Sequence, residues 1–214
     1  MDLTLFTVLT SKLKQNKLAG GVAHSLMAPP YRMEKFKSTL ISEMKPKIAS
    51  VLLLLYPNEV GEMNFVLTRR RVYIGMHSGQ ISFPGGKPDH LDNDLWATAL
   101  RETHEEVGIP SDEVRYIRSL TKLYVPPSNF LIIPYMGYLQ SPYVFTPDPR
   151  EVEAILEISL MDFINKESEL TKQLNSNSTS ITVPAYIFDQ NVVWGATAMI
   201  LSEFKILFSA VLAK

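Results

Sequence analysis

Residues 85–109 read GGKPDHLDNDLWATALRETHEEVGI and carry the strongest structural signal in the chain. Within this stretch, apolar or small side chains recur at positions i, i+3, i+4, i+7 and i+11, which predicts a helix with one core-facing stripe. The stripe consists of Trp96, Ala99, Leu100, Thr103 and Val107. We therefore predict a helix over about residues 95–107. It should end at Gly108, because glycine is favoured just past a helix C-terminus.

Three glutamates, Glu102, Glu105 and Glu106, lie at positions i, i+3 and i+4 of the predicted helix, opposite the apolar stripe. Like charges at this spacing repel by roughly a few tenths of a kcal/mol per pair. A hard divalent cation such as Mg²⁺ reverses that sign, because it needs anionic oxygen ligands close together. Arg101 precedes the three and can hold one carboxylate in a fixed orientation. Two interpretations follow: a solvated acidic face, which is the commoner case, or a metal site.

The surrounding sequence favours the metal site. A Pro-Gly-Gly turn at 84–86 lies directly upstream, where bare backbone can approach a ligand closely. Aspartates at 89, 92 and 94 lie on the approach to the helix, and Arg69, Arg70 and Arg71 end a predicted strand. Acids that bind a metal beside arginines suit a polyphosphate substrate. Taken alone, Arg70 fits a surface position as well as it fits a phosphate contact.

Composition bounds the class of protein. The chain has 214 residues, 46% of them hydrophobic and 20% charged, so one domain with a short appendage can bury a sizeable core. Lys plus Arg number 21 against 22 Asp plus Glu, which argues against a nucleic-acid-binding or anionic-membrane surface. Cysteine is absent, which excludes disulfides, thiol catalysis and cysteine-bound zinc. We expect no secretory signal and a cytoplasmic location.

The rest of the chain predicts a mixed α/β domain. Short apolar runs predict strands at 48–56 (a central strand), 65–68, 80–83, 114–124, 130–139 and 181–188. Residues 3–17 predict an amphipathic helix, 166–180 a polar surface excursion, and 192–212 a terminal helix. Glu203 and Lys205 would each cost about 3 kcal/mol at a bilayer centre, so we predict a core helix rather than a membrane span. We divide the chain into an N-terminal helical extension, 1–45, and a main domain, 46–214.

The segment from Gly86 to Ile109 resembles the Nudix box. The usual form of that box is glycine, five residues, glutamate, seven residues, then Arg-Glu-aliphatic-x-Glu-Glu-x-Gly-aliphatic. Residues 101–109 match its second half, with Thr103 in the aliphatic slot. In the first half, Asp92 stands in place of the glutamate, and eight residues separate it from Arg101.

A second stretch resembles the coenzyme A pyrophosphatase branch of that family. Its signature is roughly Leu-Leu-Thr-x-Arg-Ser, three residues, Arg, three residues, Gly, three residues, Phe-Pro-Gly-Gly. Residues 66–71 and 79–86 agree with it in spacing. Arg71 replaces the serine and Gly75 replaces the second arginine, and either Arg69 or Arg71 could supply that charge from nearby.

These resemblances imply a Nudix-type α/β/α sandwich and a hydrolase of phosphoanhydride bonds that uses Mg²⁺ or Mn²⁺. They assign the metal to Glu102, Glu105, Glu106 and the backbone carbonyl of Gly86. Glu102 is either a ligand or the base that deprotonates the attacking water, and Arg101 orients a carboxylate. Many relatives add a carboxylate from a later loop, for which Glu151 and Glu153 are the candidates.

The implied substrate is coenzyme A or acyl-CoA, cleaved to adenosine 3′,5′-bisphosphate and (acyl-)4′-phosphopantetheine. Its phosphates would contact Arg69, Arg70 and Arg71. Another nucleoside diphosphate derivative such as ADP-ribose is the alternative substrate, and a non-catalytic nucleotide-binding module is the alternative class. We expect a small-molecule nucleotide as the partner, with no nucleic acid and no membrane; a homodimer is compatible with the sequence.

Overall fold

The computed structural model describes residues 1–30, 44–71, 79–167, 169–176 and 179–213, with the backbone alone over 169–176 and 179–181. Within these ranges the helices are α1 (Leu3–Gln15), α2 (Gly21–Leu26), α3 (Leu95–Val107), α4 (Leu160–Asn165) and α5 (Gly195–Leu212). The strands are β1 (Lys47–Pro57), β2 (Met63–Arg70), β3 (Ile81–Ser82), β4 (Gly85–Gly86), β5 (Arg115–Ser119), β6 (Leu123–Val125), β7 (Phe130–Tyr138), β8 (Val152–Ser159), β9 (Glu169–Ser176), β10 (Thr179–Phe188) and β11 (Asn191–Trp194).

Strand β1 lies at the centre of an eight-stranded mixed sheet, as its largely apolar sequence predicts. The main path runs β3-β2-β1-β7-β5, with β4 paired to β1, β6 to β7 and β8 to β2. The β1–β7 pair is parallel and the other pairs are antiparallel. A separate antiparallel sheet has the order β11-β10-β9.

Helices cover both faces of the large sheet. On one face, α3 packs over Leu52, Leu54 and Val66. On the other face, α1, α4 and α5 bury the side chains that alternate with these, among them Leu53 and Phe65. Successive side chains of a strand point to opposite faces, so both faces of this apolar sheet need a covering layer. The result is the predicted α/β/α arrangement.

The N-terminal helices share the main core. Phe6, Leu9 and Leu13 of α1 are buried with the sheet and α5, as the helical spacing predicts. The 1–45/46–214 boundary stays a prediction, but in the described part of the chain the extension has no separate core. We find α1 and α2 to be structural parts of one unit.

A buried carboxylate ties α2 to α5. Glu203 of α5 is fully buried and accepts hydrogen bonds from the Gly20 amide (2.8 Å), the Thr121 amide (2.9 Å) and the Thr121 hydroxyl (2.6 Å). His24 of α2 lies 3.6 Å away. Burial acts to raise the pKa of Glu203, but the contacts with His24 and Thr121 outweigh it and the pKa is lowered. The ionised form is therefore favoured in the folded protein.

The last helix begins later than predicted. Residues 191–194 form strand β11, and α5 starts at Gly195, whose φ of 63° suits glycine. By length and apolar composition α5 could cross a membrane, yet most of it is buried inside the fold. Its packing is that of the core helix predicted from the sequence.

Two other local predictions are wrong, and one strand is missing from the prediction. Residues 169–176 form strand β9, paired with β10, rather than a polar excursion. The single strand predicted at 114–124 is two short strands, β5 and β6, with a gap between them. Strand β8 at 152–159, which pairs along almost the whole of β2, has no counterpart among the predicted elements.

Candidate active site

Helix α3 is fixed over the sheet at both ends. Asp94 caps its N-terminus by accepting from the Ala97 amide at 2.7 Å, and the buried Ser50 hydroxyl of β1 donates to the Leu95 carbonyl at 2.6 Å. Gly108 ends it with φ of 82°, in the left-handed region. The predicted bounds 95–107 and the glycine cap are confirmed. The helix is thus a rigid platform for its acidic side chains.

Arg101 is the centre of a dense polar cluster. Its guanidinium grips Asp92 with two bonds, Nε–Oδ1 at 2.9 Å and Nη2–Oδ2 at 3.0 Å. Nη1 also donates to Glu102 at 3.0 Å and to Glu105 at 3.2 Å, and Nη2 donates to the Lys87 carbonyl at 2.9 Å. These bonds lower the pKa of Asp92, with the Arg101 hydrogen bonds as the largest cause. Arg101 therefore orients three carboxylates, where the sequence suggested one.

Asp92 is a site residue whose part the motif comparison left undefined. It is one residue further from Arg101 than the family pattern and has a shorter side chain, yet it forms a two-bond pair with the guanidinium. A local turn makes this reach: the Asp89 amide donates to Asp92 Oδ2 at 2.8 Å, and the Asp92 amide donates to the Asp89 carbonyl at 3.1 Å.

Glu106 faces the sheet rather than solvent. It is 2% exposed, and its Oε2 accepts from the buried Thr68 hydroxyl at 3.2 Å. Oε1 is buried without a hydrogen-bond partner, and Arg70 Nη1 lies 3.7 Å from it. Burial raises the pKa of Glu106 to about 7, although Arg70 and Thr68 act to lower it. This carboxylate is the least compensated charge in the cluster.

Glu102 lies against the glycine turn. A Cβ on Gly86 would come within 2.3 Å of the Glu102 carboxylate, so only glycine lets β4 approach the helix this closely. Burial is the main cause that raises the pKa of Glu102, and the charges of Glu105 and Glu151 add to it. Glu105 is more than half exposed. The three glutamates therefore span the site from sheet to solvent, rather than sharing one exposed face as predicted.

The structure separates the two later carboxylates. The charge of Glu151 raises the pKa of both Glu102 and Glu106, so its carboxylate is near enough to act on the acidic cluster electrostatically. Glu153 pairs instead with Arg69, at 3.4 Å.

The loop that carries Glu151 is joined to the end of α3. The Thr146 amide donates to the Val107 carbonyl at 3.0 Å, and the Asp148 amide donates to the Glu106 carbonyl at 3.1 Å. These bonds satisfy carbonyls that a helix end leaves open. They fix the loop beside the acidic cluster.

The three arginines of β2 and its end have different partners. Arg70 points to Glu106, on the α3 face. Arg69 points to the opposite face, where it contacts Glu153 and donates to Asn191 at 3.3 Å. Arg71 donates to the Pro149 carbonyl at 2.7 Å and so braces the loop before β8. Alternation along the strand therefore brings only Arg70 to the acidic cluster, and Gly75 lies outside the described residues.

The acidic cluster has the donors that a hard cation requires. Across the described ranges, no three acidic or histidine side chains already converge as a metal site. Two of the glutamates are held by Arg101 and the third by Thr68. The unpartnered Oε1 of Glu106 and the mutual repulsion of Glu102, Glu106 and Glu151 nevertheless fit a divalent cation.

Helix α3 carries the acidic residues and packs on a mixed sheet whose strand β2 ends in arginines. This is the arrangement expected of the family that the sequence resembles. The NUDIX domain matches residues 46–173, and the chain belongs to the Nudix family. The predicted family and fold class are thereby confirmed.

The relatives agree with this assignment. "Nudix hydrolase 22, chloroplastic" of Arabidopsis thaliana is 33% identical over 165 residues, which are 73% of this chain and 54% of that protein. "Uncharacterized Nudix hydrolase NudL" of Photorhabdus laumondii is 33% identical over 138 residues, 64% of this chain and 73% of the relative. This chain thus spans about half the length of the Arabidopsis relative.

One solved structure supports the fold over most of the chain. The MutT/nudix family protein from Enterococcus faecalis superposes with a TM-score of 0.51 at 15% identity, covering 92% of this chain and 82% of that one.

Proposed function

We propose that this protein is a divalent-metal-dependent pyrophosphatase that hydrolyses the diphosphate of coenzyme A or acyl-CoA. The products would be adenosine 3′,5′-bisphosphate and (acyl-)4′-phosphopantetheine. One observation carries the proposal: Arg70 of the coenzyme A-type signature lies 3.7 Å from Glu106 of the Nudix box. Arg70 and Glu106, 36 residues apart in sequence, thus contribute to one site.

Glu102, Glu105, Glu106 and the Gly86 carbonyl would hold Mg²⁺ or Mn²⁺. When bound, such an ion offsets the negative charge of the diphosphate and acidifies a water molecule. Arg101 fixes two of the glutamates on the side toward solvent, and Thr68 fixes Glu106 on the side toward the sheet. Glu102 is the ligand or base beside the glycine turn, where no side chain separates it from the backbone.

We propose Glu151, and not Glu153, as the additional carboxylate. Glu151 acts electrostatically on both Glu102 and Glu106, while Glu153 is paired with Arg69 on the other face of β2. Matched variants test the choice: Glu151→Gln should lower kcat at least tenfold, and Glu153→Gln should stay within about threefold of wild type. Equal effects of the two variants would reject the assignment.

We propose Arg70 as the phosphate contact among the three arginines. It is partly exposed and adjoins the buried Glu106, so a cation at the glutamates and a phosphate at Arg70 would be neighbours. A guanidinium suits phosphate because it offers two parallel donors. Arg70→Gln should raise KM for the diphosphate substrate about tenfold or more, whereas Arg69→Gln should change it little. A larger KM effect from Arg69→Gln would reverse the assignment.

A diphosphate other than coenzyme A is the second candidate. Arg71, which replaces the serine of the signature, donates to the Pro149 carbonyl. The guanidinium of Arg71, which could have replaced the missing arginine of the signature, is thus engaged in a contact within the protein. This favours a substrate without a 3′-phosphate, such as ADP-ribose.

Product analysis tests the activity and the substrate. Purified protein with Mn²⁺ and coenzyme A should release phosphopantetheine, and kcat/KM for coenzyme A should exceed that for ADP-ribose. The reverse ratio would select the second candidate. Binding of either nucleotide with no turnover of any diphosphate would favour the non-catalytic module. A fully active Glu105→Gln, Glu106→Gln double variant would contradict the metal assignment.

We also propose a cytoplasmic location and a small-molecule nucleotide as the partner, with no nucleic acid or membrane partner. The printed name of the Arabidopsis relative is chloroplastic, and cell fractionation that recovered this protein in an organelle would reject the cytoplasmic location. A homodimer is likewise a proposal, which light scattering of the purified protein would test.

A further inference from the structure

The hydroxyl of Thr68 has an unusual place for a residue in a buried strand. Thr68 is fully buried on β2, on the face of the sheet that α3 covers. Its hydroxyl donates to Glu106 Oε2 at 3.2 Å. The Ser82 carbonyl is a second acceptor, at 3.4 Å. A hydroxyl has one proton to donate. The carboxylate is the closer acceptor, and in its ionised form it is also the stronger one.

The neighbouring positions show that packing alone does not require this hydroxyl. Val66, two residues earlier on the same face of β2, is fully buried in the cluster beneath α3. A buried hydroxyl is unfavourable unless it is hydrogen-bonded, and valine has the same shape as threonine. We therefore attribute the hydroxyl at position 68 to its hydrogen bond with the Glu106 carboxylate.

The consequence for Glu106 is a fixed orientation. Thr68 holds Oε2 at the sheet, which leaves Oε1 as the buried oxygen without a hydrogen-bond partner, on the side of Arg70. A carboxylate without this bond could rotate and offer either oxygen. We propose that Thr68 is a positioning residue that holds Glu106 for metal binding. This inference rests on the proposed function, in which Glu106 is a metal ligand.

Metal affinity, measured without substrate, tests the proposal directly. Calorimetric titration with Mn²⁺ would compare wild type with Thr68→Val, Thr68→Ser and Glu106→Gln. Residues that orient metal ligands typically contribute about 10- to 100-fold to affinity, so Thr68→Val should weaken Mn²⁺ binding about tenfold or more. Thr68→Ser keeps the hydroxyl and should stay within about threefold. Activity of Thr68→Val should recover at high Mn²⁺.

The outcomes separate this inference from the proposed function. If wild type bound no Mn²⁺, or Glu106→Gln bound it as tightly as wild type, the proposed metal site would be rejected. If Glu106→Gln weakened binding and Thr68→Val did not, only the role of Thr68 would be rejected. Equal losses in Thr68→Val and Thr68→Ser would also reject it. Should Thr68→Val fail to fold in EDTA, Thr68→Cys, whose thiol is a weak donor, gives the same comparison.

Discussion

Replacing Glu106 by glutamine should stabilise the metal-free protein at alkaline pH. The side chain is almost fully buried, one of its oxygens has no hydrogen-bond partner, and its pKa is raised to about 7. A carboxyl group with a raised pKa favours the folded state while it is protonated. It withdraws that stability as the pH rises from the unfolded pKa, near 4.5, through the folded pKa. Glutamine has no charge to bury.

The magnitude follows from the difference between the two pKa values. Folded and unfolded values near 7 and 4.5 differ by about 2.5, and each pKa unit corresponds to about 1.4 kcal/mol, so the full effect is about 3 kcal/mol. Most of it develops between pH 5 and pH 8.5, where linkage predicts a change of about 2 to 3 kcal/mol. Any loss from the altered Thr68 hydrogen bond is the same at both pH values and cancels in this difference.

Urea unfolding in EDTA at pH 5 and pH 8.5 gives the required free energies. The gain of Glu106→Gln over wild type should be larger at pH 8.5 by about 2 to 3 kcal/mol. Glu105→Gln is the matched control, because Glu105 is more than half exposed and its charge is solvated. Added Mn²⁺ should then stabilise wild type more than Glu106→Gln, since a ligand that binds only the folded state raises its stability.

A pH-independent difference between Glu106→Gln and wild type would refute this reasoning. It would mean that Glu106 is ionised at pH 5 in the folded state, and hence that its charge is better compensated than its contacts indicate. If Mn²⁺ stabilised both proteins equally, the argument about the buried charge would stand, but Glu106 would not be a metal ligand.

Four further substitutions probe the supports of the site and of the fold. Gly86→Ala should lower stability by only about 1 kcal/mol, because the clash falls on a flexible side chain, yet weaken Mn²⁺ binding in calorimetry. Gly85→Ala should cost about 3 kcal/mol in urea unfolding, because its Cβ would lie 2.3 Å from the Ser50 carbonyl oxygen. Asp92→Asn should cost about 1 to 2 kcal/mol and reduce kcat, since Arg101 loses a charged two-bond partner. Glu203→Gln should destabilise at pH 7. Its difference from wild type should shrink as the pH falls below 4.5, because the folded pKa of Glu203 is lowered.

The sequence predicts the elements whose signal is local. Helix α3 shows its 3.6-residue period and its glycine end, and β1 has a largely apolar sequence, so both appear at their predicted places. Strand β8 has no clear signal in the sequence, because Glu153 and Glu157 interrupt its apolar run. Both are exposed and lie between more buried residues, as an edge strand allows. Strand β9 has a polar sequence, and only its pairing with β10 makes it a strand. Such pairing is not visible in the segment itself.

The sequence predicts which residue types form the site, but not the directions in which their side chains point. The burial of Glu106 depends on how α3 is rotated over β2, although one signal was present: Ala99, Thr103 and Glu106 stand at i, i+4 and i+7, so Glu106 continues the apolar stripe. The divergent directions of the three arginines follow from strand alternation, which requires knowing where the strand ends. The role of Thr68 depends on a helix that begins 27 residues later in the chain.

The acidic residues in and beside helix α3 have charged partners on the solvent side and mainly a neutral one on the sheet side. This difference explains where a bound cation would recover the most free energy. On the solvent side, Arg101 already donates hydrogen bonds to Glu102, Glu105 and Asp92, so a cation there must compete with a guanidinium. On the sheet side, Glu106 has a neutral hydroxyl and an arginine that is too distant for a hydrogen bond. A buried charge of this kind is unfavourable until a cation reaches it, and the free energy recovered then adds to the affinity of that cation. The fold thus keeps one carboxylate under-compensated, beside the strand that carries Arg70, and this is where a metal-bound diphosphate would be held.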